Sequence, residues 1–284
     1  DTSRYATALQ YMQEIINDKN EYGIMDDFAS IWKNSGEWCK ESIWEVNYEI
    51  GFSERSWSNP QGIGGTVLPT LISPNSWPGG EGWDAGANGW GFMPVRTETY
   101  NMFASNDKRR DATVWDCRGV EYTKRYEDTG FWLGKYRPYT ENNATSGDKD
   151  LNYNNNLRVY RVAEAYLNAA EAEMHINGEG SAKAKGYIDA LRNRAHAAVR
   201  ASYTLSDVLD ERARELYCEG LRRTDLIRFN QFGGSQATYN WELKGGSTNG
   251  TTFTKTYNVY PLPSSEVLSN KNLTQIDGYN EVQN

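Results

Sequence analysis

The sequence predicts a mainly α protein with a large loop-rich, short-strand insertion, and three observations carry that prediction. Apolar residues recur at helical spacing near the start of the chain and again over most of 157–228. Two of the later helices are rich in small residues and joined by a short turn, the pattern of one tetratricopeptide-like unit. Between these helical stretches, from Gly51 to about Gly91, Gly, Pro, Ser and Asn are so dense that no periodicity survives more than a few residues.

Taken in order, YATALQYMQEIINDKNEYG sets Ala8, Leu9, Met12, Ile15 and Ile16 on one helical face and breaks at an Asn/Asp/Gly segment before Ile24. DDFASIWKNS reads as a short helix or turn, and ESIWEVNYEI carries the β-branched and aromatic content of a strand. After the 51–91 loop, FASNDKRRDATVW reads as a short helix ending in a charged turn, VEYTKRY and FWLGKYRP as strand-like, and TENNATSGDKDLNYNNN as solvated loop. The segment from Leu157, LRVYRVAEAYLNAAEAEMHI, reads as a helix with Val159, Val162, Ala163, Tyr166, Ala169, Ala170 and Ala172 as its apolar stripe and Arg161, Glu164, Asn168 and Glu171 on another face. Glycines at 178 and 180 close it, and SAKAKGYIDALRNRAHAAV, with Ser181 as the expected cap, forms its antiparallel neighbour. SDVLDERARELYCEGLRRTDLIRF reads as one further helix capped by Ser206 or Asp207. The expected layout is a single domain fragment: 1–30 helical, 31–150 a loop-rich ligand-binding region, 151–230 a helical scaffold, and 231–284 an extended C-terminal region.

Composition removes several function classes. A net charge of −8 without a dense Lys/Arg run argues against nucleic acid as a partner. Three cysteines, none in a CxxC pair, suggest neither a disulfide framework nor a thiolate zinc site. No run reaches the length of a membrane span and no secretory leader is visible, while the start at Asp1 leads us to expect a preceding segment.

The chemical motifs are weak. Gly80-Glu81-Gly82 is followed by no apolar helix, so it is not a dinucleotide loop, and there is no P-loop. His175 and His196 lie outside any HExxH or ExxH pattern and read as surface or interhelical residues. No cofactor is predicted, and the acidic loop at 141–150 lacks EF-hand spacing. Glu81 and Asp84, beside Trp83, are the acids in an aromatic surround, which keeps a glycoside hydrolase open as an alternative, although they read better as hydrogen-bond acceptors. The cluster ERARELYCEGLRRTDLIR places acids and bases three and four residues apart and reads as ion-paired scaffold, through Glu211 with Arg214, Arg212 with Glu215, and Glu219 with Arg222 or Arg223.

The aromatic content is the informative outlier. Ten Trp and 19 Tyr stand beside 8 Phe, an excess of rings that carry a polar handle. Trp32, Trp38 and Trp44 have apolar company and read as core. Trp57, Trp77, Trp83 and Trp90 sit on Gly- and Ser-rich chain, three of them in WPGGEGWDAGANGW. Exposed rings flanked by amides and carboxylates suit a sugar, with the ring covering its C–H face and neighbours such as Asp84 and Asn88 binding its hydroxyls. The competing reading is a loop that folds over its own rings as a small core.

The helical half, RVAEAYLNAAEAEMHINGEGSAKAKGYIDALRNRAH followed by ERARELYCEGLRRTDLIRF, resembles the SusD/RagB family of outer-membrane substrate-binding lipoproteins of Bacteroidetes. ESIWEVNYE, NDKRRDATVW and the tail YPLPSSEVLSNKNLTQIDGY have family counterparts, with Ile276-Asp277 where the family usually has Asn-Pro. The resemblance implies a SusD-like fold, of which this chain is the C-terminal half. It also implies a non-catalytic protein at the outer-membrane surface, held by an N-terminal lipid anchor that this chain does not contain. Its expected partners are an oligosaccharide or polysaccharide and a SusC-like TonB-dependent transporter, with RagB-like peptide binding as the alternative. The glycan site implied by the family is built from aromatic loops, and Trp57, Trp77, Trp83, Asp84, Asn88 and Trp90 are this chain's expected share of it.

Overall fold

In the computed structural model, which describes residues 2–51, 54–59, 61–62, 64–77, 89–142 and 148–279, the first apolar stripe becomes α1 (Tyr5–Asn17). The ESIWEV segment forms strand β1 (Ser42–Val46). Three one-turn helices follow in the loop-rich part, α2 (Leu68–Ile72), α3 (Thr97–Asn101) and α4 (Arg109–Thr113). Strands β2 (Val114–Asp116) and β3 (Phe131–Leu133) pair antiparallel, with Trp115 opposite Trp132. VEYTKRY forms no strand; of it, Thr123 alone makes an isolated bridge, to Asn75.

Leu157 does not open a helix. It opens β4 (Leu157–Arg161), which pairs antiparallel with β1, Trp44 opposite Tyr160 and Val46 opposite Leu157. With Arg158 and Arg161 buried and Leu157 and Tyr160 exposed, the five residues carry no clean period of two, and the helical reading absorbed them into the following stripe. Helix α5 (Val162–Asn177) then runs through the middle of the helical layer, packed against α1, α6 (Ala182–Arg194) and α7 (Leu205–Glu215). With neighbours on several sides it is buried almost all round, and Glu171, assigned from the sequence to a polar face, is 6 % exposed. Ser181 precedes α6 but does not cap it; its hydroxyl donates to Glu173, which also accepts from Asn177. The cap of α7 is Thr204 rather than Ser206, in a capping box whose other member is Asp207. All three cysteines are free thiols.

The third helix of the sequence reading is two helices. Chain 216–221 turns, with Cys218 and Gly220 at positive φ, before α8 (Arg222–Arg228). A boundary between two compact units falls at Glu219/Gly220. The second unit comprises α8, an aromatic cluster and α9 (Ser264–Ser269). Lys244, 2 % exposed, lies over the Trp241 and Phe253 rings and donates to the Tyr239 carbonyl. Gln275 clamps the Pro-Leu-Pro segment through both backbone groups of Leu262, which explains the pairing of those residues in the tail motif.

The first unit is organised around buried charge. The carboxylate of Glu215, fully buried, accepts from Arg109 at 3.0 Å, Arg161 at 3.2 Å and Arg194 at 2.6 Å. Arg161 also reaches Glu41 at 2.6 Å and Glu219 at 2.8 Å, and Glu219 pairs with Lys135 at 2.6 Å. Glu211 joins Arg109 to Arg192 and Arg214. Of the expected helical pairs only Glu211 with Arg214 forms. Arg212 turns to Asn168 and Glu164, and Glu219 pairs with Lys135 and Arg161 rather than with Arg222 or Arg223. Phe28 and Trp32 cover the cations, with Lys135 4.5 Å above the Trp32 ring and Arg194 4.8 Å from that of Phe28. These two rings belong to the main apolar cluster with Ile31, Ile72, Val95, Phe103, Val114, Phe131, Leu133 and Tyr136.

Burial alone would raise the Glu211 carboxyl, but the guanidinium groups of Arg109, Arg214 and Arg192 outweigh it and hold it at about 2 against an ordinary 4.5. Burial likewise disfavours ionisation of Glu215, but Arg194, Arg161, Arg109 and Lys135 outweigh it and hold the carboxyl well below the usual carboxylate range. Folded values below unfolded ones mean that this stabilisation is fully present above about pH 4.5 and is lost as the pH falls toward about 2. For Glu211 the difference corresponds to about 3 kcal/mol. Urea unfolding should therefore show a midpoint that declines progressively below about pH 4.5. Glu215→Gln should cost about 3 kcal/mol at neutral pH, because Arg109, Arg161 and Arg194 lose a shared anion, and should flatten that acid limb.

Candidate functional site

Helix α2 has a single turn, so its last carbonyls have no partner within the helix. The stretch 89–92 supplies several of the missing donors. The Trp90 amide donates to the Thr70 carbonyl at 2.8 Å, Gly91 to Ser73 at 2.9 Å and Phe92 to Leu71 at 3.0 Å. Asn75 adds a side-chain bond to the Gly89 carbonyl. This lacing requires glycine at 89, where a Cβ would stand 2.4 Å from the carbonyl oxygens of both Ser73 and Pro74. Further along, Pro94 bridges to Trp132, and the Val95 amide donates to Phe131 at 2.7 Å, so the segment is tied to β3 as well.

Trp57 is placed from a different direction. Asn152, buried, exchanges hydrogen bonds of 2.8 Å with both backbone groups of Arg55. The Trp57 amide donates to the Asp148 carboxylate at 2.8 Å, and Ser56 and Asn59 close the turn with a reciprocal backbone pair. The Arg55 guanidinium holds the Gly64 and Gly65 carbonyls. Beside Asp148, the Asp150 carboxyl is pushed up by burial and by the neighbouring negative charge.

These two anchors bring three rings together. Trp57 and Trp90 have centroids 5.7 Å apart with planes inclined 33°, and Phe92 follows Trp90 at 6.0 Å and 73°. Trp57 is 63 % exposed and Phe92 60 %, so a row of aromatic faces turns progressively along the surface. The Arg125 guanidinium lies 6.0 Å from the Phe92 ring and gives the row a cationic end. Chemically the row is a stacking surface with polar edges, bordered by Asp148 on one side and Arg125 on the other.

Of the site residues expected from sequence, Trp57 and Trp90 share this surface. Trp77 does not: it is 6 % exposed and packs edge-to-face against Trp115 at 4.7 Å in a cluster with Cys117, Trp132 and Tyr122. At this ring the loop builds a small core, because β2 and β3 bring Trp115 and Trp132 to it from beyond the local sequence. Trp83, Asp84 and Asn88, and Glu81 with them, lie outside the described residues. The core reading holds for Trp32 and fails for Trp38 and Trp44, which are 56 % and 53 % exposed. His175 is exposed and stacks on Tyr5. Sequence reasoning missed Phe92, Arg125 and Asp148; the aromatic pattern GWGF at 89–92 was the available signal for the first, and nothing local marks the other two. Among the described residues no group of His, Cys, Asp and Glu is arranged to hold a metal ion, and no helix is long and apolar enough to cross a membrane.

Comparison with known proteins gives a consistent picture. The model of the SusD family matches residues 40–279. Surface glycan-binding protein A from Bacteroides uniformis is 44 % identical over 97 % of this chain and 57 % of its own, with a TM-score of 0.80. Surface glycan-binding protein A from Bacteroides thetaiotaomicron, solved in complex with laminarihexaose, is 38 % identical over 97 % of this chain and 60 % of its own, with a TM-score of 0.84. Starch-binding protein SusD of Bacteroides thetaiotaomicron is 41 % identical over 137 residues, 48 % of this chain and 23 % of that protein. The chain thus spans under two thirds of the length of the relatives it matches.

The contrast between buried and presented rings predicts opposite responses. Trp77→Ala should lower unfolding stability by about 3 kcal/mol, whereas Trp57→Ala should change it by under about 0.5 kcal/mol, both read from chemical denaturation. Gly89→Ala should loosen the 89–92 segment, visible as faster amide exchange at Trp90 and Phe92.

Proposed function

The chain belongs to the SusD family, and from that premise we propose that it is a surface glycan-binding protein that captures a glucan chain on Trp57, Trp90 and Phe92. The observation that carries this reading is the turned row of rings, with Trp57 and Phe92 exposed and Trp90 partly buried between them. A flat β-1,4-linked ribbon stacks on coplanar rings, whereas rings inclined 33° suit a chain that curves, as β-1,3-linked and α-1,4-linked glucans do. Between these two we favour a β-1,3-glucan, supported by the relative solved with laminarihexaose, which matches nearly the whole of this chain. The starch-binding relative matches 48 % of it.

In this proposal each ring covers the C–H face of one glucose, and Asp148 and Arg125 take hydroxyls at the rim. Trp83, Asp84 and Asn88 are proposed to add a further ring and further hydroxyl partners. The protein acts without catalysis at the outer-membrane surface, to which a lipid anchor holds it as in the family, and passes the captured chain to a SusC-like TonB-dependent transporter.

Calorimetry with laminarihexaose, maltohexaose and cellohexaose tests the assignment. Laminarihexaose should bind most tightly, and Trp57→Ala and Trp90→Ala should each lose about 1–2 kcal/mol, roughly five- to thirtyfold in Kd. Full affinity in the double variant would remove the platform. Binding of peptides in place of all three sugars would favour the RagB-like alternative, and reducing-end release from laminarin by the purified protein would reopen hydrolysis.

A further inference from the structure

The β1–β4 ribbon has two unlike faces. Glu45, Arg158 and Arg161 point inward and are at most 3 % exposed, while Trp44, Val46, Leu157 and Tyr160 point outward. An antiparallel ribbon with one solvated face ordinarily shows polar residues there. Here the outward positions are apolar, and two of them are rings, Trp44 at 53 % and Tyr160 at 48 % exposure.

The two rings are cross-strand partners with centroids 5.9 Å apart and planes inclined 31°. The Trp57–Trp90 pair has 5.7 Å and 33°. Register shifts flank Trp44 on both sides, between Ser42 and Trp44 and between Trp44 and Glu45. Irregularities of this kind re-aim a side chain on an otherwise regular strand, and here they lay the indole beside the phenol. The pair therefore repeats, on a different element, the ring geometry of the first platform.

We propose that Trp44 and Tyr160 form a second contact for the same polysaccharide, taking the C–H face of another of its sugars; this rests on the reading of the first platform as a glycan site. The indole N–H and phenol O–H supply donors at the edge, and Val46 and Leu157, opposite one another in the next part of the ribbon, extend the apolar strip. Two rings hold one or two sugars weakly. Their effect appears when the ligand is long enough to engage both places, where the second contact becomes intramolecular and raises avidity.

Electrophoresis in gels containing laminarin or starch, paired with laminarihexaose calorimetry, tests this on wild type, Trp57→Ala/Trp90→Ala and Trp44→Ala/Tyr160→Ala. Trp44, Trp57 and Tyr160 are exposed and Trp90 is partly buried, and a cooperative unfolding transition establishes that each variant is folded. The ribbon variant should keep its hexasaccharide Kd within about twofold while its retardation by the polysaccharide falls at least about threefold. Retardation equal to wild type would overturn the second contact and leave the first platform standing. Wild type that neither migrates more slowly nor binds the hexasaccharide would instead overturn the glycan reading itself, and the second contact with it. Self-association in the absence of sugar that disappears in the ribbon variant, measured by sedimentation, would assign the strip to protein contact and also overturn the proposal.

Discussion

The hydrogen-bonded contact between Arg161 and Glu215 is the constraint on which the first unit depends. Arg161 ends β4 and precedes α5, and Glu215 ends α7, so a single pair ties the ribbon to two helices. The other partners extend the tie: Glu41 before β1, Arg194 at the end of α6, Arg109 at the start of α4, and Lys135 just after β3. Each of these groups would be costly to bury alone, and satisfied together they fix which elements meet and in what register. Phe28 and Trp32 close the lattice against water and join it to the apolar core.

The same lattice explains how an irregular, glycine-rich stretch can present rings in a defined geometry. Lys135 anchors the chain just beyond β3, and β3 holds the 94–95 backbone that leads back to Phe92 and Trp90. Arg158, bonded to the Asn156 carbonyl and near Glu45, fixes β4, shortly after Asn152 has clamped the turn that carries Trp57. Both branches of the ring row are therefore short extensions from strands whose positions are set by buried charge. The loops need no regular structure of their own, only enough backbone bonds to keep their ends in place.

Much of this was legible in the sequence, and the boundary of legibility is physical. Periodicity located α1, α5 and α6, and the glycines at 178 and 180, both at positive φ, marked the turn between α5 and α6. The motifs on which the family resemblance rests, ESIWE, NDKRRD, RVAE, RNRA and ERARELYCEG, contain Glu41, Arg109, Arg161, Arg194, Glu211, Glu215 and Glu219, most of the charge lattice. What those motifs record is therefore scaffold, as the sequence reading held for the ERARELYCEG cluster alone. The reading erred on partners, because helical spacing reveals neighbours three or four residues away and is blind to a Lys135 that meets Glu219. Strand β4 was hidden because five residues without a clean period of two run directly into a helix. Trp44 and Trp77 were each misjudged for one reason: apolar neighbours in sequence do not say what approaches from elsewhere, and Trp77 is buried by Trp115.

The separate fastening of Trp57 and Trp90 also bears on how members of this family could diverge. One ring hangs from Asn152 and Asp148, the other from the carbonyl end of α2, and neither fastening includes the other ring. The gap and tilt between them are thus an adjustable dimension of the molecule. A residue added to one turn, or a different ring at one position, changes the angle between the rings while the charged interior goes untouched.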